Sequence, residues 1–170
     1  MSKSETHTPE SLRALLTREH RELDQLFEAL LEALQADARQ DALRLWTAFD
    51  DGLCRHMALE EKELLPRLQE ENPREVEALL AEHAQIRTKL IDLGVGVDLH
   101  EMHVQTVSDF IEELRRHAKR EDALAYRWAE KNLPAAASDA MREGVAAARL
   151  QREGLAESGR KAKTGGTKKR

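Results

Sequence analysis

The chain of 170 residues is 41% hydrophobic, 35% charged and only 4% aromatic, and it carries a formal net charge of -5. That length supports one domain with a proper core, the acidic balance gives no general attraction to nucleic acid, and the wealth of Leu, Ala, Glu, Arg and Gln points to long helices in an all-α fold. No apolar run approaches the roughly 18 residues needed to cross a bilayer, the polar start MSKSETHTPE lacks the apolar stretch of a signal peptide, and a single cysteine excludes an internal disulfide framework, so a soluble cytoplasmic protein is expected.

A first helix is expected to follow a flexible start at residues 1–8, with Thr8 as its cap and Pro9 at its first position. Leu12, Leu15, Leu16, Leu23, Leu26, Phe27, Leu30, Leu31 and Leu34 recur at spacings of three and four and carry it to Gln35, where ADARQD closes it. Asp41 can cap a second helix with Leu45, Trp46, Phe49, Leu53 and Leu64 on one face, and Pro66 should kink or end it. Asn72-Pro73 repeats the cap-and-proline start for a third helix. Its inward face is expected to hold Val76, Leu79, Leu80, Ile86 and Leu90, with Gly94-Val95-Gly96 as its stop.

A fourth helix is expected from Leu99 to Leu133, with Val107, Phe110, Ile111, Leu114, Leu124 and Trp128 facing in and Pro134 ending it. A weaker alanine-rich helix should follow from Ser138 to Arg152, within a segment 134–155, and residues 156–170 read as a disordered basic tail. Four long helices with short connections over residues 9–133 imply an up-down-up-down antiparallel four-helix bundle.

Polar residues interrupt the apolar faces in a pattern. Each of the four helices carries one histidine on its inward stripe: His20 between Leu16 and Leu23, His56 three after Leu53, His83 four after Leu79, and His117 three after Leu114. His56 and His117 each have a glutamate one turn on, Glu60 and Glu121, and a spacing of four puts imidazole and carboxylate on the same helix face. An isolated buried carboxylate carries a desolvation cost of several kcal/mol unless a cation or strong donors compensate it. A metal ion is the simplest compensation. His20 to His56 is 36 residues and His83 to His117 is 34, and in each half the second histidine opens an HxxxE, so the chain presents two matching ligand sets that suit two metals better than one. Counting along an antiparallel arrangement sets the first three histidines level. The turn from the third helix to the fourth fits less well, so the fourth helix should overhang or the Gly94 loop should climb.

His20, His56-x-x-x-Glu60, His83 and His117-x-x-x-Glu121, in this order over residues 9–133, resemble the hemerythrin-like, or HHE cation-binding, family. The resemblance implies a non-haem di-iron centre inside a four-helix bundle. His20 and His56 would hold one iron, His83 and His117 the other, with Glu60 and Glu121 as bridges. Imidazole and carboxylate suit iron and lack the thiolates of a structural zinc site, and the Glu-x-x-His motifs of ferritin-like bundles are absent. The sequence departs from the oxygen-carrying members at one position: where they have a second histidine one turn after the third-helix histidine, this chain has Arg87.

That departure leaves about one open position on each six-coordinate iron. It implies sensing of, or reaction with, O2, peroxide or nitric oxide more than reversible carriage. Asp24, one turn after His20, and Tyr126 are expected to stand behind the site or at the surface, with filling an open position as the alternative, while Glu61 should support the site from outside or face solvent. Cys54 points about 160° away from His56 and reads as packing; His100 and His103 read as bundle-end residues and His7 as part of the flexible start. Three functions stay open: a di-iron protein that binds or senses small oxidants or handles iron, a redox enzyme acting on peroxide, nitric oxide or Fe(II), and a metal-free helical interaction module.

Overall fold

In the computed structural model, which describes residues 10–99 and 104–158, helix α1 spans Leu12–Gln35 and begins later than Pro9. Ser11 is the cap, its Oγ accepting the Ala14 N–H at 3.1 Å, which satisfies one of the free donors of the first turn. His7, Thr8 and Pro9 lie outside the described residues. The close of α1 falls where ADARQD was expected to end it: Asp37 adopts a left-handed conformation, φ 51°, and the Ala38 N–H reaches back to the Ala33 carbonyl at 2.8 Å. Helix α2, Arg39–Leu59, starts ahead of the expected cap. Asp41 sits inside its first turn, where a carboxylate favours the positive end of the helix dipole.

Regular winding is interrupted just before Pro66, and the path ends two residues beyond it, at Leu68. A π-helical turn, Glu60–Leu64, follows α2 directly and leads into a short helix α3, Leu65–Leu68. The Leu65 N–H bonds the Glu60 carbonyl five residues back, a wide turn that fits a proline one residue further on with no N–H to give. Leu64, Leu65 and Leu68 are all buried as a result.

Helix α4, Pro73–Leu99, begins at Pro73 as expected but runs through Gly94-Val95-Gly96. Gly94 serves close packing, since a Cβ there would meet the Trp46 indole at 3.4 Å. Its continuation removes the expected height mismatch: His83 lies 16 residues before the end of α4 and His117 13 residues after the start of α5, Val104–Ala123. Leu80, expected inside, is 41% exposed.

The expected single fourth helix is two. A break at Leu124, φ −126° and ψ −68°, separates α5 from α6, Ala125–Asn132, which ends just before Pro134. In an unbroken helix Tyr126 would point about 140° away from Glu121. The break turns Ala125, Tyr126 and Ala129 into the core.

Helix α7, Ala135–Ser158, is longer at both ends than expected and far from weakly attached. It packs along α2 and α1, burying Ala137, Met141, Val145 and Ala148. Small residues allow this close approach: a Cβ on Gly144 would stand 2.7 Å from Leu59 Cδ1. Arg152, also buried, donates to Glu19 and, at 2.9 Å, to Glu22. His100, His103 and residues 159–170 of the basic tail lie outside the described residues.

Two apolar clusters form the interior. One gathers Phe27, Leu30, Phe49, Met57, Ile86 and Phe110; the other gathers Leu16, Leu64, Leu68, Leu79, Ala129 and Met141. Truncating any one of the buried Leu or Phe side chains to Ala costs about 2–5 kcal/mol. Along each helix the sequence-selected polar residues fall between members of the two clusters, so a polar layer is held between two dry ones. All elements among the described residues are helical, and no helix there is long and apolar enough to cross a membrane.

Candidate metal centre

Four helices and the π-helical turn bring all six sequence-selected residues into that layer. His20 comes from α1, His56 from the last turn of α2, Glu60 from the π-helical turn, His83 from α4, and His117 and Glu121 from α5. Glu60 and Glu121 are each 1% exposed and His83 0%, so water does not solvate these groups. His20 is the most exposed of the six, its side chain 13% accessible.

The four Nε2 atoms converge. His20 and His56 bring theirs within 2.9 Å of each other, and the two rings meet edge-on, as do those of His83 and His117. The carboxylates lie between the pairs. Glu60 Oε1 lies 3.4 Å from His56 Nε2 and its Oε2 3.6 Å from His83 Nε2. Glu121 Oε2 lies 3.2 Å from His20 Nε2, and its Oε1 lies 3.3 Å from His83 Nε2 and 3.1 Å from His117 Nε2. Each carboxylate thus divides its two oxygens between the two histidine pairs. His20, His56, Glu60 and Glu121 form one group able to hold a metal ion, and His83, His117 and Glu121 form another.

Glu60 Oε2 and His117 Nε2, which lie among these converging atoms, are buried without a hydrogen bond, as is His56 Nδ1 on the far side of its ring. His117 Nε2 lies 3.1 Å from Glu121 Oε1 without an aligned hydrogen bond. Leaving such atoms buried and unpaired costs about 1–3 kcal/mol each. A cation at the centre of the layer would satisfy Glu60 Oε2 and His117 Nε2, and the imidazole and carboxylate donors fit iron.

The same pattern runs through a whole family. The hemerythrin HHE cation-binding domain matches residues 11–129, from the cap of α1 to the buried Ala129 of α6. The chain belongs to that family. Neither the curated proteins nor the solved structures yield a match to it. As a member of the hemerythrin HHE family it has a domain type suited to binding metal ions, and its own histidines and glutamates supply groups for one.

Electrostatics of the layer follow from burial and proximity. Burial, with Glu121 nearby, pushes the Glu60 carboxyl well above its ordinary range. Burial acts on Glu121 in the same direction, but the imidazoles of His117, His20 and His83 outweigh it and hold that carboxylate well below its ordinary range. His56 is lowered by burial and by its neighbour His20. His117 is lowered by burial too, yet Glu121 and Glu82 raise it overall. Entry of a cation would therefore displace protons from the layer.

Sequence reading left Tyr126 and Asp24 as open candidates, and the structure separates them. Tyr126 is fully buried, and its hydroxyl donates to Glu60 Oε1 at 2.5 Å, with His20 Nε2 and His56 Nε2 at 3.1 and 3.2 Å. Asp24 instead accepts from Arg115 at 2.9 and 3.1 Å, away from the four Nε2 atoms.

Glu61 accepts from His83 Nδ1 at 2.8 Å and is clamped by Arg87 at 2.7 and 3.0 Å. Sequence reading missed the matching residue Glu82, which accepts from His117 Nδ1 at 2.7 Å and from Arg120 at 2.5 Å. Glu82 and His117 are 35 residues apart, so no local spacing announces the contact. Cys54 gives its thiol hydrogen to Asp50 and is raised by burial and that carboxylate, in keeping with a packing role.

Proposed function

We propose that the chain holds a non-haem di-iron centre and uses it to bind or sense O2 or a related small oxidant, peroxide or nitric oxide, or to handle iron. The observation that carries this reading is the division of Glu60 and Glu121, one oxygen toward each histidine pair. His20 and His56 would hold one iron, His83 and His117 the other, and the two glutamates would bridge them. The frame in this reading is α1, α2, α4 and α5 as an antiparallel up-down bundle.

When bound, a pair of irons supplies redox equivalents and open coordination positions to small ligands. The chain's own residues do the rest. Glu61 and Glu82 fix His83 and His117 with Nε2 facing inward, because each takes the Nδ1 hydrogen. Tyr126 holds a hydroxyl hydrogen against Glu60, and burial beside Glu121 and Glu60 keeps that phenol protonated. The two apolar clusters cover the layer on its two sides along the helices.

The test is anaerobic loading with Fe(II), metal analysis and an optical spectrum, followed by titration with O2, hydrogen peroxide and nitric oxide. The expected result is about two irons per chain and a spectral change that saturates with added ligand. Repeated turnover of peroxide, nitric oxide or Fe(II) would move the assignment to a redox enzyme. Absence of bound iron, with thermal stability unchanged by Fe(II), would leave the metal-free interaction module.

A further inference from the structure

A cavity of about 270 Å³ lies between α1 and α5, beside the polar layer. Its walls are apolar, formed by Leu23, Phe27, Phe49, Leu53, Ile111 and Leu114, and the imidazoles of His20, His56 and His117 also line it. Three of its charged lining residues, Asp24, Arg115 and Asp122, are already engaged. Asp24 is bound by Arg115, and Asp122 by Arg13 at 3.0 and 2.9 Å and by Thr17 at 2.9 Å.

Arg21 on α1 and Lys119 on α5 are different. Both line the cavity, both are exposed, and neither has an ion-pair or hydrogen-bond partner among the described residues. Among the residues lining the cavity three cations, Arg21, Arg115 and Lys119, stand against two carboxylates, Asp24 and Asp122, so the lining is net positive on a chain whose net charge is -5, while Arg115 is also bound by Glu28 and Glu112 outside the lining.

A diatomic gas or hydrogen peroxide needs neither this volume nor a pair of free cations. A molecule with an apolar body and one anionic group needs both. We infer that the cavity binds an amphipathic organic anion, its hydrocarbon part among Phe27, Phe49 and Leu114 and its acid group at Arg21 and Lys119. Affinity would come from apolar surface removed from water, at roughly 25 cal/mol per Å². The two exposed cations would contribute mainly the choice of charge and the rate of capture. Binding in this sense is a property of the cavity and does not require iron. That the bound body would lie beside His20 and His56, and so beside the centre, rests on the di-iron reading.

The experiment is calorimetric titration of the full chain, metal-free and iron-loaded, with decanoate and with decyltrimethylammonium, which has the same body and the opposite charge. One decanoate should bind per chain in both forms, and the cation about tenfold more weakly. Leu114→Trp, which fills the cavity, should weaken decanoate at least about tenfold. The surface double variant Arg21→Glu/Lys119→Glu should reverse the preference for charge while keeping helicity and iron content.

Failure of decanoate to bind either form would overturn the inference, as would equal binding of the two amphiphiles. So would decanoate binding unchanged in the surface double variant, which tests the proposal even if Leu114→Trp folds poorly. The iron content of the unaltered chain is measured separately, so a chain that binds decanoate but no iron refutes the metal reading alone.

Discussion

The two halves of the polar layer use the same residue types and differ in what stands behind them. His83 and His117 each pass an Nδ1 hydrogen to a carboxylate, Glu61 or Glu82, and each carboxylate is gripped by an arginine, Arg87 or Arg120. Among the described residues His20 and His56 have no such backing: the His56 Nδ1 is buried without a hydrogen-bond partner, both rings meet the Tyr126 hydroxyl, and both line the cavity, which His117 reaches from the other half. A carboxylate behind an imidazole fixes its tautomer and makes it a better donor. In the di-iron reading the His83–His117 half would keep its ion in place, and the His20–His56 half would stay adjustable where a ligand arrives. Arg87 gains a meaning here, because the residue that replaces a possible further histidine is the one that locks Glu61 onto His83.

Removing what the halves share should have the largest effect. Glu121→Ala takes one carboxylate from both groups, and Glu60→Ala takes another. Each is expected to lower iron affinity by more than the roughly 10–100-fold that loss of an outer partner costs, with circular dichroism largely unchanged. Normal iron loading in both variants would refute the bridging assignment. Next in size, Glu82→Gln and Glu61→Gln should weaken one of the two ions by about 10–100-fold and leave the other nearly as it was. Competition with a graded series of chelators reads this directly, and equal weakening of both ions would erase the distinction between the halves.

Tyr126→Phe probes the other half and should be milder. Losing the hydrogen bond to Glu60 should lower the thermal stability of the metal-free protein by about 1 kcal/mol, with a smaller change in iron affinity than Glu82→Gln gives. The smallest effect concerns acid. The Arg120 guanidinium holds Glu75 below its ordinary 4.5 and the Arg13 guanidinium holds Asp122 below its ordinary 3.8, each against an opposing effect of burial. Carboxylates depressed in the folded state add stability above their unfolded values and lose it as pH falls through the folded ones. The metal-free protein should thus lose stability below about pH 4, by less than about 1 kcal/mol for each pair, and Arg120→Gln should flatten part of that slope in an acid melting series.

The helices and the six inward polar residues were legible because both are written in short-range spacing. Leucines at three and four gave the stripes, and four histidines with two glutamates one turn on broke them in register. Glu82 was hidden because its contact with His117 depends on how α4 and α5 face each other. Tyr126 could be named but not placed, since its direction depends on the break at Leu124, where no glycine or proline gives warning. Gly94 misled in the opposite way: packing against Trp46 outweighed the cost of glycine in a helix. The alanines of α7 looked weak because propensity says little about fit, and small side chains let that helix lie close on α2.

The wide turn at Glu60–Leu64 amounts to one extra residue spliced into a helix. Were the same residues wound as an ordinary α-helix, with no wide turn to absorb the extra one, everything downstream would swing by about 100° relative to His56. Leu65 and Leu68 would rotate out of the interior while His56 kept its place. The five residues thus act as a phase shifter, letting one continuous rod aim a ligand-bearing segment and a core-forming segment in two independent directions.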